Sequence, residues 1–324
     1  MLYSRATMLY LPKILSVLFC LLFFQLSSTV PINDRPIIGI VVEETHSKFS
    51  PQATAALYAS YVKFVEAGGA RVIPIFLQQS EEYYNKLLSQ INGVLFPGGA
   101  NLVQSDGYGR TGRIIFKIAS KMNDNGTYFP LWGTCLGFEL LNFLVAGKLW
   151  MKACSAEDLS TNINFVNGFN DSRMFGHLED SMKHVMQKEL VTIHFHQWCI
   201  TPENYSMSGL DKYFKVLAIN QDRNNVAFVS AVEAINYPFY GVAFHPEKVM
   251  FEWVISDKEH NIPHSSESIR VSQYFANFFV NEARKNLNKF PYKEDEDDLL
   301  IYNYNPFFTG KYNNNSVQQK YYFE

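Results

Sequence analysis

Residues 131–141 read LWGTCLGFELL, and the order of residue types in that stretch decides the fold. An apolar run ends at Trp132, small residues follow, and an apolar helical pattern resumes at Leu136. Such a run predicts a buried strand that turns sharply into a helix, with Cys135 at the corner. A cysteine there is either a small buried residue at a turn or a nucleophile held at the strand tip. Small flanking residues allow the tight turn, and the free N–H groups of the helix start point at the same place, where they favour a thiolate and later an oxyanion.

The same alternation extends on both sides. IIGIVV (37–42) reads as a buried strand and ATAALYASYVKFVEAGG as a helix stopped by Gly68 and Gly69. RVIPIF is a second strand, SEEYYNKLLSQ a short helix, and GVLF a third strand running into Pro97-Gly98-Gly99. A helix over 113–122, the strand YFPLW and a helix over 136–145 follow. Repeated strand–helix alternation with short connections predicts an α/β fold: a three-layer α/β/α sandwich with a mostly parallel central sheet. Functional groups in such sheets gather at the carboxyl ends of the strands, where Cys135 falls. Residues 151–186 lack periodicity and read as surface excursions. LVTIHFHQW, KVLAIN, VAFVSAV and YGVAFHPE then read as four strands, and a long helix covers 269–284.

Two further segments bear on chemistry. YGVAFHPEK places His245 after a strand with Glu247 two residues on, a spacing that puts both side chains on one side of extended backbone. Glu247 is then placed to orient His245, and His245 to take a proton from Cys135. FPGGAN offers backbone N–H groups at Gly98 and Gly99 which, with that of Leu136, suit an oxyanion hole. HxH at His194 and His196 is too little for a metal site, and no clustered His and Cys ligands are visible in the spacing, so no metal or cofactor is expected.

Composition narrows the setting. The 324 residues hold 28 basic and 31 acidic side chains. Ile14–Phe24 is an apolar run flanked by Arg5 and Lys13 before and by Ser27, Ser28 and Thr29 after, the layout of a signal peptide; a membrane span needs about 20 residues. We expect a signal peptide at 1–29 and one domain at 30–324, with segment 299–324 following the acidic run Glu294–Asp298 and packing on that domain. Outside that run the mature acids and bases balance, which leaves no basic field for nucleic acid or anionic lipid. Secretion would permit glycosylation at Asn125, Asn170, Asn204 and Asn314. Cleavage would leave three cysteines, so at least one thiol has no internal partner; the spacing does not say whether Cys154 and Cys199 pair.

PGG, GTCLG and HPE in this order resemble the class I glutamine amidotransferase-like superfamily. Within it, FPGG, WGTCLGFE, FHQW, YPFYGVAFHPEK, FEW, FFVNEARKN and IYNYNPFFTG resemble the gamma-glutamyl hydrolase family over essentially the whole mature chain. The resemblance implies a cysteine hydrolase of folate poly-γ-glutamates, with Cys135 as nucleophile, His245 as base and acid, Glu247 as third member and His196 facing substrate. It further implies a secreted or lysosomal homodimer without cofactor. Ala100 departs from the more polar residues usual after the glycines. Phe138-Glu139 stands where glutaminases of the superfamily have His-Gln, which argues against the rival ammonia-supplying glutaminase; the intact triad argues against a non-catalytic binding protein. A polyanionic substrate leads us to expect a locally positive cleft.

Overall fold

In the computed structural model, described for residues 32–324 except 254, 257–258 and 313–316, the central sheet is built on the strands anticipated above. The strands are β1 Ile37–Val41, β2 Glu43–Glu44, β3 Ala55–Tyr58, β4 Arg71–Ile75, β5 Gly93–Phe96 and β6 Leu131–Thr134. The remainder are β7 Lys152–Thr161, β8 Thr192–Cys199, β9 Phe214–Gln221, β10 Ala227–Ala234, β11 Phe239–Val242, β12 Phe307–Phe308 and β13 Gln319–Phe323. Helices are α1 Ala59–Ala67, α2 Glu81–Leu88, α3 Tyr108–Asp124, α4 Leu136–Ala146, α5 Asp180–Lys188, α6 Pro202–Met207, α7 Pro246–Phe251, α8 Ser266–Ala283 and α9 Lys293–Leu299. The seven-stranded sheet runs β4-β1-β5-β6-β11-β10-β9. Its first five strands are parallel, and β10 and β9 add on antiparallel.

Side-chain alternation along each strand feeds two cores, one per face. Trp132, Tyr240 and Phe244 pack with Phe64 of α1 and Phe275 and Phe279 of α8. Leu131, Val94 and Phe96 on the other face pack with Leu88 of α2, Ile115 and Ile118 of α3, and Leu141 of α4. Each such side chain, fully buried, contributes roughly 1.5–3 kcal/mol of transfer free energy. This is the three-layer α/β/α arrangement, and residues 33–324 form one compact unit.

Three local readings need correction. Ala55–Tyr58 is not the start of a helix; it pairs with β13 on one side and β2 on the other in a four-stranded sheet ordered β12-β13-β3-β2. The stretch 151–186 is not a set of surface excursions. It contains the ten-residue strand β7, hydrogen-bonded to β8, and buries Phe169, Met174 and Phe175 in the first core. The helix placed at 113–122 spans 108–124. The acidic run lies in α9, whose Glu296 pairs with Arg71. The leader and Asn314 lie outside the described residues; among these no helix is long and apolar enough to cross a membrane.

Candidate active site

Strand β6 delivers Cys135 to the carboxyl edge of the sheet, and α4 begins at the next residue. The corner is held in an unusual backbone state, with φ +50° and ψ −104° at Cys135. A non-glycine residue there costs on the order of 1–3 kcal/mol and persists only because its surroundings fix it. They do: the Cys135 N–H donates to the Val242 carbonyl of neighbouring β11 (2.9 Å), and its carbonyl accepts from Glu139 N–H (2.9 Å).

Strand β11 runs parallel to β6 in register, Val242 opposite Thr134, so the chain that continues past Val242 brings His245 to the same edge. His245 caps α7, with Pro246 at the first helical position, and its N–H donates to the Ile193 carbonyl (2.9 Å), which ties β8 to the site. His245 Nδ1 lies 2.7 Å from Glu247 Oε1. A carboxylate partner places the proton on Nδ1 and leaves Nε2 with a lone pair. Nε2 is buried and has no hydrogen-bond partner among the described residues, as a base awaiting a proton requires. The proximity of base and nucleophile is read from Gly98: a Cβ built there would lie 2.7 Å from His245 Cε1, 2.8 Å from the Tyr61 hydroxyl and 3.0 Å from Cys135 Cβ. Only glycine lets these three groups converge.

The thiol is not a preformed thiolate. Burial, then the carboxylates of Glu139 and Glu247, push Cys135 well above its usual range, and the Leu136 N–H and Lys248 pull weakly the other way. The helix start therefore offers less thiolate stabilisation than the sequence suggested, and proton transfer to His245 has to accompany attack.

Tyr61 was not anticipated. Its hydroxyl accepts the Gly98 N–H (2.7 Å) and sits 3.4 Å from His245 Nδ1. Gly98 is thus not a free oxyanion donor, as its N–H is already engaged; of the donors proposed from sequence, Gly99 and Leu136 remain on the cleft. No spacing or motif signals Tyr61, which α1 brings in from across the first core.

Next to Cys135 opens a cleft of ≈ 660 Å³ lined by Gly99 and Leu136 at its base, and by His196, Glu139, Glu157 and Trp198 on its walls. Among the described residues that line it there is no lysine or arginine, and the charged side chains are Glu139 and Glu157. Burial raises Glu139 to about 7, so it is neutral in acid and charged above neutrality. Leu102, Leu149 and Trp198 expose apolar surface around the opening. Lys248, the cation acting on Cys135, lies under the wall with its ammonium 4.3 Å from the Phe195 ring centroid.

His196 occupies the cleft wall on β8, largely buried, and burial together with the His245 charge pushes it down to about 3, so it is a neutral imidazole. The clustered His and Cys ligands that the spacing did not show are present: Cys154, Cys199 and His196 bring three ligand atoms within 4.8 Å of one another. Here Cys154 and Cys199 form a disulfide, and Cys135 is the free cysteine among the described residues.

The profile of the Peptidase C26 family matches residues 36–247, a span that contains Cys135, His245 and Glu247. This chain belongs to that family. It is 39% identical over 90% of its length, and 90% of the other chain, to a Mus musculus protein named gamma-glutamyl hydrolase. A Homo sapiens protein of the same name is 38% identical over 90% of each chain. Gamma-glutamyl hydrolase 1 of Arabidopsis thaliana is 37% identical, covering 86% of this chain and 80% of that one. The enzyme is therefore of the cysteine type, and the elbow at Cys135 gives that membership its local chemistry.

Proposed function

We propose that this chain hydrolyses γ-glutamyl amide bonds, with γ-linked polyglutamates such as those of folates as its substrate class. The observation that carries the reading is the unpartnered, buried Nε2 of His245, held in its tautomer by Glu247 beside the strained Cys135 corner. His245 Nε2 takes the thiol proton as sulfur attacks the γ-carbonyl carbon. The resulting oxyanion is met by the N–H groups of Leu136 and Gly99. His245 then gives its proton to the departing amine nitrogen, the C–N bond breaks, and a thioester on Cys135 remains. Water, deprotonated by the same Nε2, attacks the thioester carbon, the C–S bond breaks to release the γ-carboxyl product, and the departing sulfur takes back the proton from His245. Glu247 holds the ring and stabilises its charged form throughout.

The apolar opening at Leu102, Leu149 and Trp198 supports a substrate with an aromatic body behind its glutamates. Glu139 stands on the cleft wall, so its protonation eases the approach of a polyanion, which supports work in an acidic compartment. The leader-like segment supports secretion or delivery to a lysosome-like compartment. Asn125 and Asn170 are exposed and suit glycosylation, whereas the Asn204 side-chain amide donates to the Trp150 carbonyl (2.9 Å). A homodimer is the assembly implied by the family resemblance, to be tested by light scattering.

The experiment is hydrolysis of a pteroyl-γ-polyglutamate against free glutamine by wild type and Cys135→Ala, with glutamate and ammonia both measured. Cleavage of the polyglutamate by wild type alone is expected. Ammonia release from glutamine matching or exceeding peptide cleavage would move the protein to the glutaminases.

A further inference from the structure

The two-stranded antiparallel sheet of β7 and β8 carries a constellation that takes no part in the bond-making and bond-breaking steps above. Cys154 and Cys199 lie on its two strands with Cα atoms 5.8 Å apart, and His196 Nδ1 sits 3.4 Å from Cys199 Sγ and 3.7 Å from Cys154 Sγ.

Following the hydrogens through the network fixes what Nδ1 presents. The Thr192 hydroxyl donates to the Thr161 carbonyl (2.9 Å), so between the two hydroxyls (3.0 Å) Thr161 is the donor. Thr161 Oγ1 therefore accepts, from the Asn220 amide (3.2 Å) and from His194 Nε2–H (3.1 Å). His194 Nδ1 is left bare and accepts His196 Nε2–H (3.1 Å). Within this network Nε2 carries the ring hydrogen, and Nδ1, with the Trp198 carbonyl also near the ring, faces two sulfurs that, joined to each other, have no hydrogen to give it.

A buried imidazole lone pair facing two cysteine sulfurs, its far N–H anchored by a second-sphere acceptor, is the donor set of a tetrahedral zinc site. The distances agree. Zn–S near 2.3 Å and Zn–N near 2.0–2.1 Å place sulfur and nitrogen about 3.6 Å apart at a tetrahedral angle, and the two sulfurs about 3.8 Å apart. The sulfur–nitrogen separations already match, and only the sulfur–sulfur separation must open. A void of ≈ 10 Å³ bounded by Cys199, His196, Glu139 and Cys135 adjoins the cluster, about the space of one water.

We propose that Cys154, Cys199 and His196 form a binding site for a zinc-class divalent cation when their disulfide is reduced, with water in the adjoining void as fourth ligand. A dithiol reductant supplies the two electrons: its sulfurs close into a cyclic disulfide as the Cys154–Cys199 bond breaks to two thiols. The cation then displaces one proton from each thiol, and the His196 lone pair binds without losing one. The same side chains thus have two alternative closures, covalent under oxidising conditions and metal-linked under reducing ones.

The test uses the full chain carrying Cys20→Ser and Cys135→Ala, so that Cys154 and Cys199 are its only thiols. After reduction by a dithiol and its removal without oxygen, the protein is titrated with Co²⁺ and then Zn²⁺. One equivalent of cobalt should bind, with thiolate-to-metal charge-transfer absorption and the strong visible bands of a tetrahedral ion, and zinc should displace it. The unreduced protein should bind none, and a further Cys154→Ser change should weaken binding roughly 100-fold or more. A reduced, folded protein that binds under a tenth of an equivalent, or binding unaffected by Cys154→Ser, would overturn the proposal. Where circular dichroism shows that reduction unfolds the chain, Cys154→His carries the test, since it has no disulfide to lose. It should bind one zinc without reductant, and failure to do so overturns the proposal equally. Reading the ion and not hydrolysis keeps this outcome separate from that of the proposed activity.

Discussion

Replacing Glu43 by glutamine tests whether a buried acid supports the oxyanion turn in its neutral form. Glu43 lies almost wholly out of solvent, against the backbone of Gly99, where any Cβ would collide with its carboxyl. Burial raises it from 4.5 to about 8, against the pull of Lys320 and of the Ala100 N–H that it accepts. A group raised on folding gives its full stabilisation below the unfolded value and loses it as pH rises through the folded one. A rise from 4.5 to about 8 corresponds to on the order of 5 kcal/mol. Most of that is lost between about pH 5 and pH 8. Glutamine keeps the shape and cannot ionise, and Glu139 and Glu252, also raised, are common to both proteins and cancel in the difference. Denaturant unfolding of wild type and Glu43→Gln at both pH values is the assay. Wild type should lose roughly 3–4 kcal/mol more than the variant on going from pH 5 to pH 8. A difference that stays within about 0.5 kcal/mol at the two pH values would refute the reasoning, because an ordinary, solvated carboxylate would give that result.

Cys135→Gly should abolish hydrolysis yet unfold about 1–3 kcal/mol less readily than Cys135→Ala, since glycine alone is unstrained at the corner; thermal melts of the pair decide it. His245→Ala should cost more in kcat than Glu247→Ala, and the double variant should lose little beyond His245→Ala; equal single losses would reduce Glu247 to a structural part. Wild-type turnover of polyglutamate should fall as pH rises through about 7, where Glu139 gains its charge beside the thiol and the incoming carboxylates; Glu139→Gln should extend activity upward, seen in a pH profile of kcat/KM.

The sequence made the carboxyl edge of the sheet legible because its information is local. GTCLG and HPE each describe a few consecutive residues at the end of a buried strand, and the apolar runs around them are long enough to identify. What stayed hidden depends on pairings between distant segments. KACSAEDLST does not alternate because its strand bulges twice against β8, and Asp158 takes φ +49°, so a period of two could not show. Ala55–Tyr58 carries apolar residues that serve a helix equally well, and it becomes strand because residues more than 250 positions later pair with it. Tyr61 and Glu43 belong to the site only through that packing. The charge of the cleft was inferred from the substrate and not from residues, and the charged side chains among its described lining residues are Glu139 and Glu157.

The pairing of β13 with β3 also constrains the order in which the protein is made. Residues 319–323 supply the strand beside Ala55–Tyr58, and Ala55–Tyr58 runs straight into the helix that bears Tyr61. A chain emerging from the ribosome can assemble the parallel sheet from its earlier segments, yet the strand edge at Ala55–Tyr58 stays bare until those late residues are released. During synthesis this edge is open to other chains, and a stalled or clipped product lacking 319–323 would keep it open for good. Nascent chains arrested just short of these residues should therefore be the forms that chaperones hold and proteases remove.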